Sequence, residues 1–182
     1  MKYTLGAATF LVLFAAAPVV HAAQLAIDPP SLTLAAGQDA TVSLVIASSD
    51  DINTIGTAVP LPAGLRYLRA QPGIVVEQWI QLPGYDSSAG ELMLSGIMPR
   101  GWHGKGVFAL VTVEAQKAGT YALAYDPQQT EVYYNDGSGT MAPVTFGAIS
   151  TAPPVWSFAV GAVALILVVL FFLRKKIRLT FL

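Results

Sequence analysis

Between Gln24 and about Ile149 the chain alternates short β-prone runs with turn residues, and no stretch carries a 3.6-residue apolar period. In "TVSLVIAS", Val42, Leu44 and Ile46 share one face while Thr41 and Ser43 share the other. That two-residue repeat is the signature of a half-buried strand; a helix would scatter the same side chains around its axis. The runs "QLAI", "SLTL", "NTIGTAV", "GLRYLRA", "IVVEQWIQ", "ELMLSGIM", "VFALVTVEAQ", "TYALAYD", "TEVYY" and "PVTFGAI" follow the same grammar, punctuated by Gly, Pro, Asn and Asp. Roughly nine or ten such strands predict an antiparallel β-sandwich, not a parallel α/β sheet. "NDG" at 135–137 predicts a hairpin after "TEVYY", because Asn and Gly tolerate the positive φ of tight turns. The sequence contains no cysteine, so such a sandwich relies on its apolar core, and thiolate metal sites and thiol nucleophiles are excluded.

The two ends have a different composition. Residues 1–22 place Lys2 before the apolar run "LGAATFLVLFAAAPVV" and end on "VHA", the pattern of a secretory signal peptide cut after Ala22. Residues 155–173, "VWSFAVGAVALILVVLFFL", contain no charge and as a helix would reach about 28 Å, the thickness of a bilayer's hydrocarbon core. Arg174, Lys175, Lys176 and Arg178 follow, which predicts a cytoplasmic C-terminus, and Trp156 stands where an interfacial aromatic belongs. The expected map is a signal peptide (1–22), a β-sandwich (23–149), a short linker (150–154), one C-terminal transmembrane α-helix (155–173) and a basic cytoplasmic tail (174–182). The protein is then single-pass in the cell membrane with its domain outside. The linker "STAPP" spans under about 20 Å even when extended, so the domain is expected to stay near the lipid.

All eleven acidic residues fall between Asp28 and Asp136, against Arg66, Arg69, Arg100, Lys105 and Lys117, so that segment carries a formal charge of −6. Nucleic-acid binding, which depends on clustered Lys and Arg, is excluded. Once His21 leaves with the signal peptide, His103 is the one histidine of the exported segment. A zinc site would have to be built from one imidazole and carboxylates, an uncommon set. No G-x-S-x-G elbow occurs, and "YYNDGSGT" lacks most of the carboxylates of a calcium loop. Neither a metal nor a cofactor is implied. The stretch "SGIMPRGWHGKG" (95–106) is expected to be a corner between sheets: Leu92, Leu94 and Met98 alternate before it, and Val107, Ala109, Val111 and Val113 after it. Gly96 marks a bulge or close backbone approach, Pro99 ends the ladder, and Gly101, Gly104 and Gly106 permit the return. Trp102 is expected to cover the end of the sandwich, and His103 to be a solvated loop residue.

One stretch suggests a binding surface. In "IVVEQWIQ" the spacing puts Ile74, Val76 and Ile80 on one face and Glu77, Trp79 and Gln81 on the other, so Trp79 is expected on the wet side of a sheet. Exposed aromatics flanked by polar groups favour binding because they supply large area at low entropy cost. Tyr85, in the "PGYD" turn, would extend that surface; burial of Trp79 under a neighbouring loop is the competing arrangement.

The order of these features resembles a cohesin domain: "AIDPPSLTLAAGQDATVSLVI", then "INTIGTAV", then Pro83, Gly84, Tyr85, Asp86 and Gly90, then "LSGIMPRGWHGKGVFALVTVEAQKAGTYALAY" and "VYYNDGSGT". The resemblance spans nearly all of 24–149 and implies a nine-stranded jelly-roll β-sandwich without catalytic residues, related to some carbohydrate-binding modules. It also implies a protein partner of dockerin type, and a link to polysaccharide breakdown. Dockerin-contacting cohesins often place an Asn and, two positions on, an acidic residue on the strand after the first loop; Asn53 matches the first, while Ile55 stands at the second. Asn53, Trp79 and Tyr85 are therefore the candidate binding residues. Three readings stand side by side: a non-enzymatic module that recruits a protein partner, a carbohydrate-binding module using Trp79, and an exported hydrolase built on a carboxylate pair such as Glu77, Asp86, Glu91 or Glu114.

Overall fold

The computed structural model describes residues 22–149, which form nine strands and, among those residues, no helix. The expected leader (its cleavage residue Ala22 excepted), linker, membrane helix and basic tail lie outside the described residues. The strands are β1 (Ala23–Asp28), β2 (Ser31–Leu34), β3 (Asp39–Pro60), β4 (Leu65–Pro72), β5 (Gln78–Asp86), β6 (Glu91–Ala115), β7 (Gly119–Ala122), β8 (Glu131–Tyr134) and β9 (Val144–Phe146).

Two of them are long enough to run through both layers of a jelly-roll sandwich. The first half of β3 pairs with the second half of β6 (Val42↔Val111, Ala40↔Val113), and with β1 and β4 at the flanks this makes one layer in the order β4-β6-β3-β1-β9. The second half of β3 pairs with the first half of β6 (Thr57↔Leu94, Val59↔Leu92), and β5 and β8 flank them to make the other, β5-β6-β3-β8. "TVSLVIAS" and "NTIGTAV", expected as separate strands, are thus one bent strand, and so are "ELMLSGIM" and "VFALVTVEAQ". The ladder is antiparallel throughout except where β9 lies parallel to β1 (Gln24↔Thr145). The expected hairpin after β8 is present: Tyr134 N donates to Thr140 O, and Gly137 takes the left-handed conformation.

Alternation carries the core between the layers. Val42, Leu44 and Ile46 are buried as their spacing requires, and so are Leu92, Leu94 and Met98. Along the second half of β6 the expected phase fails at one point. Leu44 pairs with Ala109 and Val45 with Val107, so Phe108 is an extra, bulged residue. Phe108 turns fully inward and stacks near Tyr125, with centroids 6.4 Å apart, while Val107 is only half-buried. Burial pushes the Tyr125 phenol above its usual range, and its hydroxyl donates to Ala26 O at 2.9 Å.

The "SGIMPRGWHGKG" segment is the bend of β6, where register jumps from Ile52↔Trp102 to Thr54↔Ile97. Gly101, at φ 76°, makes the bend possible. Gly106 does not share that role: its φ is ordinary, and its bare Cα receives a side chain instead. As the chain crosses from β4 to β5, Val75 and Val76 plug the space between the layers. A Cβ on Gly106 would lie 2.5 Å from Val75 Cγ2, and one on Gly96 would lie 2.3 Å from Val76 Cγ1. Trp102 packs against the core at this corner, as expected. The segment is the expected corner between sheets, and its Gly96 and Gly106 also receive two valines.

Candidate functional site

Directly paired residues on adjacent strands point to the same face of a sheet, so register and burial together give the outer surface of the β5-β6-β3-β8 layer. Leu92, Leu94, Ile55, Val59 and Val132 face inward and are buried. Outward point Glu91, Met93, Ser95 and Ile97 from β6, Thr54 and Gly56 from β3, Glu131 and Tyr133 from β8, and Gln78 and Gln81 from β5. The centre is built from small residues, because Ser95 and Gly56 lie side by side. A Cβ added to Gly56 would meet nothing nearer than Ser95 Oγ at 3.7 Å. The result is a depression of about 160 Å³ floored by Gly56, Ala58, Met93 and Ser95 and walled by Gln81, Gln129 and Glu131.

The walls are held by hydrogen bonds. Gln129 Nε2 donates to Glu91 Oε2 at 2.8 Å and to Asp126 Oδ2 at 2.9 Å, and Tyr133 Oη donates to Glu131 Oε2 at 2.8 Å. That bond, and then the Glu131 charge, hold the Tyr133 phenol above its usual range. The Gln129 amide, with the Gln128 N–H, holds the Asp126 carboxyl below the usual carboxylate range. Beneath the wall, the Thr57 and Thr130 hydroxyls bond each other at 2.7 Å, both buried, which ties β3 to the segment carrying Gln129. Along β5, at one side of this face, Ile80 and Leu82 are 69% and 63% exposed, and Ile74 in the preceding crossover is 92% exposed.

The expected phase of "IVVEQWIQ" holds at Val76, Glu77 and Gln81 and fails at Ile74, Trp79 and Ile80. Val75 and Val76 are buried, Ile74 and Ile80 are exposed, and Trp79 pairs with Gly96 on the inner side, its ring partly buried against the core. Two consecutive buried valines break the alternation on which the expectation rested, and a register shift after Trp79 breaks it again. Tyr85 is not in a turn. Pro83–Asp86 belongs to β5, and the turn follows at 87–90, closed by Asp86 Oδ1 accepting from Ser88 Oγ and the N–H groups of Ser88 and Ala89. The Tyr85 ring stacks on Tyr67 of β4 at 5.4 Å, joining the edges of the two layers. Asn53 is the extra residue of a β3 bulge opposite β8, its Oδ1 accepting from Thr54 Oγ1. Ile55 is buried, so the position where an acidic contact was sought faces the core. The three candidates do not form one surface: β6 separates Trp79 and Tyr85 from the strand of Asn53, about 10 Å at sheet spacing.

The depression itself was not anticipated. Its signal was present in "ELMLSGIM", where Met93, Ser95 and Ile97 must oppose Leu92, Leu94 and Gly96, and in a second strand glycine, Gly56, one residue from the buried Ile55. Gln129 and Glu131 could be placed beside it only by the β3-β8 register.

At the corner, His103 Nδ1 lies 2.7 Å from Asp51 Oδ1, both side chains more than half exposed. His103 is solvated as expected but has a carboxylate partner that the sequence did not indicate. Among the described residues, no three His, Asp or Glu side chains gather closely enough to hold a metal ion.

No family model matches the chain, and no curated protein matches it in sequence. Solved structures do match in fold. A non-cellulosomal cohesin from the hyperthermophilic archaeon Archaeoglobus fulgidus superposes with a TM-score of 0.57 at 17% identity, over 69% of this chain and 86% of its own. The third cohesin of ScaC from Acetivibrio cellulolyticus, solved in complex with the ScaB dockerin, gives 0.58 at 16% identity over 69% and 94%. The seventh ScaB type I cohesin from Pseudobacteroides cellulosolvens gives 0.56 at 17% over 72% and 94%.

Proposed function

Residues 23–149 have a cohesin-like jelly-roll fold, and from that premise we propose that the protein is a non-catalytic module that recruits a protein partner of dockerin type on the outer face of its β5-β6-β3-β8 layer. One observation carries the reading: this face has a small-residue centre with a depression, bordered along β5 by exposed Ile80 and Leu82. Exposed apolar side chains next to a pocket with a polar rim are the usual anatomy of a protein-docking surface. The cohesin solved with a dockerin supports a partner of that kind. In this reading the signal peptide exports the domain, and residues 155–173 tether it to the outer face of the cell membrane, where a short linker limits its reach.

Gly56→Leu is the discriminating variant, because it fills the depression from a position with open space above it. Affinity capture with the full chain and with Gly56→Leu in parallel, followed by reconstitution of any differential partner from purified components, tests the proposal. The expected result is a partner whose affinity falls at least tenfold in the variant. Equal retention of every captured protein by both chains contradicts it.

A further inference from the structure

We infer that the partner anchors in the depression with a basic side chain, arginine or lysine; this rests on the docking reading above and specifies its chemistry. The walls present acceptors. Both protons of the Gln129 amide are engaged by the Glu91 and Asp126 carboxylates, so its carbonyl oxygen is what remains to offer a ligand. Glu131 accepts one bond from Tyr133, which occupies that phenol's proton, and the carboxylate keeps further acceptor capacity. Gln81 can present an oxygen from the opposite wall, and Ser95 one from the floor.

No lysine or arginine among the described residues pairs with those acceptors. Among the described residues, Arg66 is paired with Glu114 on the other layer and Arg100 with Glu77. Arg69 sits on β4 opposite Thr112, Lys105 on β6 opposite Ala47, and Lys117 follows β6. Among the described residues, Glu91, Asp126 and Glu131 thus accept from neutral donors, the Gln129 amide, the Gln128 N–H and the Tyr133 phenol, in a segment of formal charge −6.

The floor asks for something else. Met93, Ala58 and Gly56 offer apolar contact to a stem and nothing to a charged head. A long basic side chain meets both demands, laying its methylenes on the floor and bringing its donors to the wall. An apolar anchor would bury the wall oxygens without donors, and an acidic one would meet Glu131 with like charge. A sugar ring would find acceptors but no aromatic platform among the lining residues.

The test is selection of a random heptapeptide library displayed on phage against the full chain, with counter-selection on Gly56→Leu. Sequences specific to the wild type are expected to share an arginine or lysine, and synthetic peptides made from them are expected to bind Glu131→Gln at least tenfold more weakly. Gly56-dependent peptides without a shared basic residue, or with unchanged affinity for Glu131→Gln, overturn the basic anchor while leaving the docking face intact. A library that yields no Gly56-dependent peptide overturns both.

Discussion

The two outer faces of the sandwich are built on the same two strands and differ in how their polar groups are satisfied. On the β4-β6-β3-β1 layer the groups answer one another. Arg66 and Glu114 form an ion pair, and the Thr41 and Thr112 hydroxyls bond at 2.9 Å. On the β5-β6-β3-β8 layer the centre is Gly56, Ala58, Ser95 and Met93, the walls are acceptors, and apolar side chains line one edge. A face whose polar groups pair internally has little to gain from a partner. A face with surplus acceptors and uncovered apolar area gains from one that brings donors and apolar contact.

The largest effect comes from removing what both faces share. Phe108→Ala empties the bulge that sets the phase of β6 and is expected to cost about 3–5 kcal/mol in denaturant unfolding, as for other buried aromatics. A loss near zero would mean that the bulge does not hold the layers together. Next are the two strand glycines of the second layer, which separate its inside from its outside. Gly96→Val drives a side chain into Val76 and is expected to destabilise by about 1–3 kcal/mol. Gly56→Leu on the outer side is expected to stay within about 0.5 kcal/mol of wild type, since its added bulk meets open space. Equal losses at both positions would erase the distinction between socket and open face. On the closed face, Arg66→Ala is expected to change stability by less than about 1 kcal/mol, because the Arg66 side chain is more than half exposed.

The smallest effect is acid-side. Asp126 and Asp86 are held below the usual carboxylate range, chiefly by the Gln129 and Ser88 side chains respectively. A depressed folded-state pKa gives stability that is present above the unfolded value, near 3.9, and is lost as pH falls through the folded value. Melting temperature is expected to be insensitive to these groups above about pH 5 and to fall below about pH 4. Asp126→Asn is expected to flatten that slope while weakening the Gln129 wall; an unchanged slope would show that the wall is not held by the Asp126 charge.

Much of the scaffold was legible in the sequence because alternation is a local signal: Val42/Leu44/Ile46 and Leu92/Leu94/Met98 point where their spacing puts them. What failed were places where the two-residue period is broken by something nonlocal. Phe108 bulges because β3 and β6 fall out of step, and Val75–Val76 leave the strand pattern to fill sockets that Gly106 and Gly96 provide from a distant part of the chain. That second event inverted the reading of Trp79 and hid Ile74 and Ile80 as surface residues. The depression was illegible for a related reason. Its floor comes from β3 and β6 and its walls from β5 and the β8 segment, and only register brings Gly56 between Gln81 and Glu131.

The claim that function resides on the open face is tested most directly by measuring the dissociation constant of the captured partner for wild type, Gly56→Leu and Thr112→Arg, the last placing equivalent bulk on the closed face. The predicted result is at least a tenfold loss for Gly56→Leu with Thr112→Arg within twofold of wild type. The reverse pattern, or equal losses, would contradict it.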